Sequence, residues 1–407
     1  MSSSAPTLRR RRWALFALFL LPGLSMAAWV TRTPEVRDLL GASTAQMGLV
    51  LFGLSLGSMA GILSSGPLVM RLGTRPVALT GAALVVIALP TIALGAVAGQ
   101  PLVTAAGLAL FGLGVGAGEV AMNIEGADVE RIGGKPFLPA LHGCFSLGTV
   151  LGAGLGILAN AVAFPVAAHL GLTAVVGAAL LLWAAPAIPA GTGRTTPEER
   201  EAQAAAPKLA LLGDVRLLFI GGVVLAMALA EGTANDWLPL VMVDGHGFGA
   251  TMGSTVFALF AAAMTVGRFG GGPIVARVGR ARVLLVSALF AAAGLALISF
   301  VDSQAVAVTA VVLWGLGASL GFPLALSAAG DSGPNPTARV ALASTIGYLA
   351  FLVGPPTLGL LGEHVGLRGA LVVPLVVVLL AALIAPSTAP RSSATPAEPA
   401  AEPAGRA

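Results

Sequence analysis

The stretch from Gly66 to Pro76 reads G-P-L-V-M-R-L-G-T-R-P, a short basic turn between two long apolar runs, and it returns as G-P-I-V-A-R-V-G-R-A-R from Gly272 to Arg282. Gly, Pro, Val, Arg and Gly hold the same relative places in both copies. Other anchors keep the same order. Met47-Gly48, Phe52 and Met59 return as Met252-Gly253, Phe257 and Met264, and Phe111-Gly112-Leu113-Gly114 with Gly118 returns as Trp314-Gly315-Leu316-Gly317 with Gly321. Separated anchors at a nearly constant offset mark an internal repeat. The chain is two similar halves, and its fold must build the same apolar unit twice.

Those units belong in lipid. Of the 407 residues, 57% are hydrophobic and only 10% charged, outside the range of soluble globular chains. With about 20 apolar residues needed for one crossing, the sequence predicts twelve helices, near 13–31, 46–69, 77–97, 101–126, 140–164, 170–190, 214–236, 250–271, 283–301, 304–328, 340–362 and 368–386. The expected organisation is a basic N-terminal segment 1–12, a six-helix bundle 13–190, a polar linker 191–213, a second six-helix bundle 214–386 and a disordered tail 387–407. Arg9 to Arg12 before an apolar stretch has the look of a signal peptide, but that stretch is long enough to span and many others follow, so it reads as an uncleaved first helix.

Lys and Arg fall in the short links between apolar runs. Counting them by the bias towards the cytoplasmic side puts Arg9 to Arg12, Arg71, Arg75, Arg131, Lys135, Arg194, Arg200, Lys208, Arg216, Arg277, Arg280, Arg282, Arg339, Arg391 and Arg406 inside, with Arg32, Arg37 and Arg368 outside. Both termini are thus expected in the cytoplasm, in the inner membrane of a bacterium. The sequence pI of about 10.2 does not indicate nucleic acid, because the basic residues form no single face or stripe. Cys144 is the one cysteine, which leaves no disulfide framework or Cys/His metal cluster. Lys135 and Lys208 are not set in a phosphate-binding loop, so an ATP-hydrolysing enzyme is not expected.

Two six-helix halves, a polar linker and a G-x-x-x-x-R-x-G-x-R loop after helix 2, echoed after helix 8, resemble the major facilitator superfamily along the folded chain. Within it, W-x-x-R-T-P at Trp29 to Pro34, G-x-G-E-V-A-M-N at Gly116 to Asn123, L-H-G-C-F-S-L-G at Leu141 to Gly148 and A-E-G-T-A-N-D-W at Ala230 to Trp237 look like a bacterial branch that includes rhizopine-transport-like proteins. The resemblance implies an all-α fold of two pseudo-symmetric six-helix bundles and solute transport by alternating access, with no cofactor and the proton gradient as energy source. Two departures stand out. Met70 and Ala276 occupy the place before the loop Arg where the family often has an acid, and the helix 5 run Gly148 to Gly156 lacks the Pro of the antiporter signature. A similar run, Gly354-Pro355-Pro356 with Gly359, lies in helix 11.

Ionisable groups inside a membrane are costly and usually line a polar path, so each needs an account. Glu119 and Asn123 stand one helical turn apart and share a face. Their segment looks like the fucose-permease helix 4, which implies proton coupling at the Glu; the other reading pairs Glu119 with Arg71 or Arg75 in a gate. His142, at the start of helix 5, either bonds Glu119 or a solute or simply faces the interface. Glu231 and Asn235 repeat the one-turn spacing in helix 7, ahead of Asp236 and Trp237. Glu231 reads as a binding or a structural group, and Asp236 as a site residue or an interfacial charge. Trp29 and Trp237 are either belt aromatics or stacking platforms for a sugar-like ring. Arg32 is a candidate outer gate opposite Glu231 or Asp236, Arg268 either a partner of a helix end or a solute ligand, and Arg277 the loop Arg of the second half.

Three readings follow. The first is a secondary transporter of a small polar solute (a sugar, polyol or amino-cyclitol), driven by protons and monomeric in the bilayer. The second is an exporter of an amphipathic drug or metabolite. The third is a non-transporting receptor or scaffold on the same fold.

Overall fold

In a computed structural model the chain is almost wholly helical, and the structure describes residues 5–134, 137–196, 198 and 209–389. Thirteen α-helices lie in the described residues: α1 Ala5–Val30, α2 Thr33–Leu40, α3 Thr44–Leu72, α4 Thr74–Val97, α5 Pro101–Gly133, α6 Leu138–Ala161, α7 Val166–Ala184, α8 Val215–Leu240, α9 Ala250–Val278, α10 Arg280–Phe300, α11 Gln304–Gly330, α12 Pro336–Ala370 and α13 Val372–Ile384. Eleven described segments are long and apolar enough to cross a bilayer. The twelfth crossing starts inside α12. Gly366 breaks the helix with φ 75° and ψ 157°, and beyond it the ladder runs through into α13, with Leu371 N–H bonded to Leu367 and Leu375 N–H to Leu371.

The repeated loop has a single physical cause. Its shared second glycine ends one helix and starts the next in both halves, Gly73 at φ 89° and Gly279 at φ 87°, each with extended ψ. Side-chain-bearing residues essentially never hold that conformation. The halves also repeat their packing. In the first, α1 packs on α6, α3 on α5 and α4 on α5; in the second, α8 packs on α12, α9 on α11 and α10 on α11. Between the halves α3 meets α12 and α6 meets α9. Small residues bring these backbones close, the usual basis of helix packing in lipid.

Several boundaries differ from the sequence expectation. α1 already includes Arg9 to Arg12, within the segment read as a basic N-terminus. Its Arg11 is buried between Glu125 and Asp128 of α5 at 2.5 and 2.7 Å, and Glu125 also takes a 2.5 Å hydrogen bond from Thr74. α5 and α9 run past their apolar parts to Gly133 and Val278, because a helix does not stop where hydropathy does. α2 was not anticipated; it is a short amphipathic helix opened by Pro34, with Val36 buried and Arg37 and Asp38 outward. Of the expected linker, Thr192 and Thr195 hydrogen-bond Thr74 N–H and the Met70 carbonyl, and Arg194 the Arg71 carbonyl. The matching segment after the last helix, expected to be disordered from Ser387, docks the same way: Arg216 reaches the carbonyls of Ser387 and Ala389, and Arg280 that of Thr388. Most of the linker and tail, 199–208 and 390–407, lies outside the described residues.

Candidate transport site

The two halves are joined at the end opposite the basic loops. There Arg37 of α2 pairs with Asp244, the Ala45 N–H donates to Glu363 at 3.0 Å, and Asn160 Nδ2 bonds Ser254 Oγ at 2.7 Å while Ser254 bonds the Thr31 carbonyl at 3.0 Å. At the basic end the described ion pairs stay within one half, Arg11 with Glu125 and Asp128 in the first and Arg339 with Asp214 and Arg280 with Asp331 in the second. Among the described residues, then, hydrogen bonds and an ion pair tie the halves together at one end, and no ion pair joins them at the other.

Glu119 lies midway along α5, deep among the helices yet exposed to solvent. Among the described residues its carboxylate makes no hydrogen bond or ion pair. In the other half, Arg268 Nη2 of α9 holds Glu231 Oε1 of α8 at 2.9 Å, with both side chains partly accessible. Glu119 is near enough to feel both charges. Arg268 Nε also leans towards the Ser319 carbonyl at 3.4 Å, so its main partner is a cavity carboxylate rather than a helix end.

The floor and walls are polar and aromatic. His142 Nε2 lies 3.1 Å from Asn123 Oδ1, and its ring meets the edge of Phe19 at 5.3 Å. On the other side Phe322, Tyr348 and Phe351 form a row with centroids 6.3 and 6.4 Å apart, and Tyr348 lies within electrostatic reach of Glu119. Tyr348 is the only tyrosine in the chain; that rarity was the available signal, and it was missed. Asn235 is half-buried one turn from Glu231.

Other expected site residues are placed elsewhere. Trp29 and Trp237 are each 1% exposed, so they are neither belt aromatics nor open platforms; they sit in the packed core near the closed end. Arg32 is fully buried, and its partners are Glu35 at 2.6 Å, Asn160 at 2.7 Å and the Phe164 carbonyl, all in its own half, rather than Glu231 or Asp236. It braces the first bundle, and the cross-half ion pair belongs to Arg37. Asp236 is buried in a crevice between α8 and α12. Arg71 and Arg277 are exposed at the ends of α3 and α9, and Arg75 is half-buried; neither Arg71 nor Arg75 pairs with Glu119 among the described residues.

Two helical halves that repeat the same packing, tied together at one end and bringing Glu119 of one near Arg268 and Glu231 of the other, have the architecture of a membrane transporter. The chain belongs to the Major Facilitator Superfamily, whose profile matches residues 14–343, and its relatives are transporters rather than enzymes. It is 33% identical over 355 residues to an uncharacterised MFS-type transporter of Yersinia pestis, covering 86% of this chain and 89% of that one. It is 27% identical over 360 residues to the membrane protein MosC of Rhizobium meliloti, covering 87% and 84%. Among solved structures, a D-xylose-proton symporter superposes with a TM-score of 0.76 at 15% identity over 94% of this chain and 98% of that one. The nucleoside transporter NupG gives 0.70 at 15% identity over 93% and 98%. At that identity these two share the fold.

Proposed function

We propose that the chain is a proton-coupled carrier of a small polar solute of the sugar, polyol or amino-cyclitol class, acting as a monomer in a bacterial inner membrane with both termini in the cytoplasm. The observation that carries the reading is the Glu119 carboxylate, without a hydrogen bond or ion pair among the described residues, within electrostatic reach of the Arg268–Glu231 ion pair of the other half. Solute hydroxyls would exchange for water at these groups and at Asn123, His142 and Asn235. A proton on Glu119 would remove its charge and, with it, the attraction to Arg268, so occupancy changes the balance of charge between the two halves. Closing the basic end and parting the opposite end by rocking of the bundles then presents the site to the other side. Fold relatives named for D-xylose and nucleosides fit a polar cargo. The Phe322–Tyr348–Phe351 row is the feature that favours the second reading, an exporter of an amphipathic molecule.

Counterflow into proteoliposomes, screened over sugars, polyols and cyclitols, tests the class. Exchange of a hydroxyl-rich solute supports it, and exchange restricted to amphipathic cations supports the exporter.

A further inference from the structure

The crevice between α8 and α12 holds polar groups for which the open cavity has no use. Thr233, Asp236 and Trp237 of α8 line it together with Phe351, Gly354 and Pro355 of α12, and it is too narrow for a water molecule. Asp236 is 6% exposed and Thr233 2%. Thr233 Oγ1 and Trp237 Nε1 have no hydrogen-bond partner among the described residues. Pro355 and Pro356 stand consecutively inside α12, and since neither has an N–H, the carbonyls of Phe351 and Leu352 lose their helical donors.

Among the described residues no cation pairs with Asp236. α11 and α13, which pack on α8, carry no ionisable residue, and α1 carries its arginines at the basic end. On the remaining neighbours the charges are taken, apart from Arg277, which is exposed at the basic end of α9. Glu35 and Arg37 of α2 hold Arg32 and Asp244, Arg268 of α9 holds Glu231, and on α12 Arg339 holds Asp214, Glu363 the Ala45 N–H and Arg368 Asp302. Tyr348 of α12 lies within electrostatic reach of Glu119 and His364 is exposed. An ionised carboxylate sealed here would be an uncompensated buried charge, which proteins avoid. A carboxylic acid would instead donate one hydrogen bond to a freed carbonyl or hydroxyl and accept others.

The crevice is also tied to the closed end. A Cβ on Gly48 of α3 would lie 2.8 Å from the Pro355 carbonyl, so meeting of the halves presses α3 on the turn of α12 that walls Asp236. We infer that Asp236 is a second proton-binding site, with Thr233 and the Phe351 carbonyl released by Pro355 as its partners, and that loading it permits the end opposite the basic loops to close. Binding adds one proton to the carboxylate, and the proton returns to water when the crevice next opens. The inference rests on the reading of the chain as a proton-coupled carrier and adds to the coupling carboxylate Glu119 a proton-gated closure at a separate place in the fold.

The test needs no solute. The full chain carrying Cys144→Ser, Leu39→Cys and Val365→Cys is spin-labelled in lipid nanodiscs; Leu39 and Val365 are exposed on opposite halves near the closed end. The inter-label distance is measured from acid to alkaline pH at fixed sodium, and over a sodium series at fixed pH. The expected result is a short distance at acid pH, a longer population that grows as pH rises, and only the short distance at every pH once Asp236→Asn is added. Infrared spectra taken on a Glu119→Gln background should show a protonated-carboxyl band at acid pH that Asp236→Asn removes, which keeps the site testable on an unmutated crevice. A distance that does not respond to pH, that follows sodium instead, or that titrates unchanged in Asp236→Asn would overturn the inference. Solute counterflow by a parent with no pH-dependent distance would refute this site alone and leave the carrier reading standing; the expected titration without any counterflow would do the reverse.

Discussion

Gly48 of α3 and Gly359 of α12 meet face to face across the boundary between the two halves: a Cβ on Gly48 would stand 2.9 Å from the Gly359 Cα, and one on Gly359 2.8 Å from the Gly48 Cα. Real Cβ atoms do not approach backbone so closely, so the closed end depends on two missing side chains. Thr44 is next to the same contact, with its carbonyl 3.0 Å from a Cβ on Gly359.

Gly359→Val should therefore keep the closed end from forming while leaving each bundle folded. Cysteine labelling near the closed end from the outer solution should rise severalfold, and counterflow should fall by about tenfold or more, the effect of ~1.4 kcal/mol on one step of the cycle. Unchanged labelling would mean that α3 and α12 can slide to accept the side chain.

The latch at the same end is Arg37 with Asp244. Arg37→Glu should weaken closure by roughly 1 kcal/mol or less, because the pair is partly exposed and screened by salt. Asp244→Arg in the same protein should restore it. A double variant no better than the single would leave Arg37 as a surface charge.

At the basic end the Arg11–Glu125 pair is almost fully buried, so removing one partner strands the other. Glu125→Ala is expected to destabilise the first bundle by about 3–5 kcal/mol, read as a lower unfolding midpoint in detergent. Arg11→Met with Glu125→Leu should recover most of the loss, since an apolar pair of similar volume can replace a buried ion pair. Equal midpoints for Glu125→Ala and the parent would show that water reaches the pair.

Much of this arrangement is legible in the chain, and the reasons are physical. The repeated loop can be read because Gly73 and Gly279 occupy a backbone conformation that leaves no alternative residue. Glu119 and Glu231 can be read because carboxylates within apolar runs are rare and costly. The Arg268–Glu231 pair could not be foreseen, since the side chains that meet depend on which helices adjoin, and spacing along one helix is silent on that. Arg32 misled for the same reason: its place at the mouth suggested a partner across the gap, but Glu35, one turn along its own helix, and Asn160 of α6 lie nearer. Helix ends were misplaced wherever polar residues continue a helix out of the apolar zone, as at Arg9 to Arg12 and at the end of α5.

The central claim is that Glu119 carries the coupling proton. Glu119→Gln keeps the shape and hydrogen-bonding capacity of the acid but fixes it neutral. The most direct measurement is paired: solute counterflow, and pH-gradient-driven accumulation, in proteoliposomes holding either the parent or Glu119→Gln. The account predicts that the variant exchanges solute at a rate near the parent's and fails to accumulate it against a gradient. Full pH-driven accumulation by Glu119→Gln would contradict it.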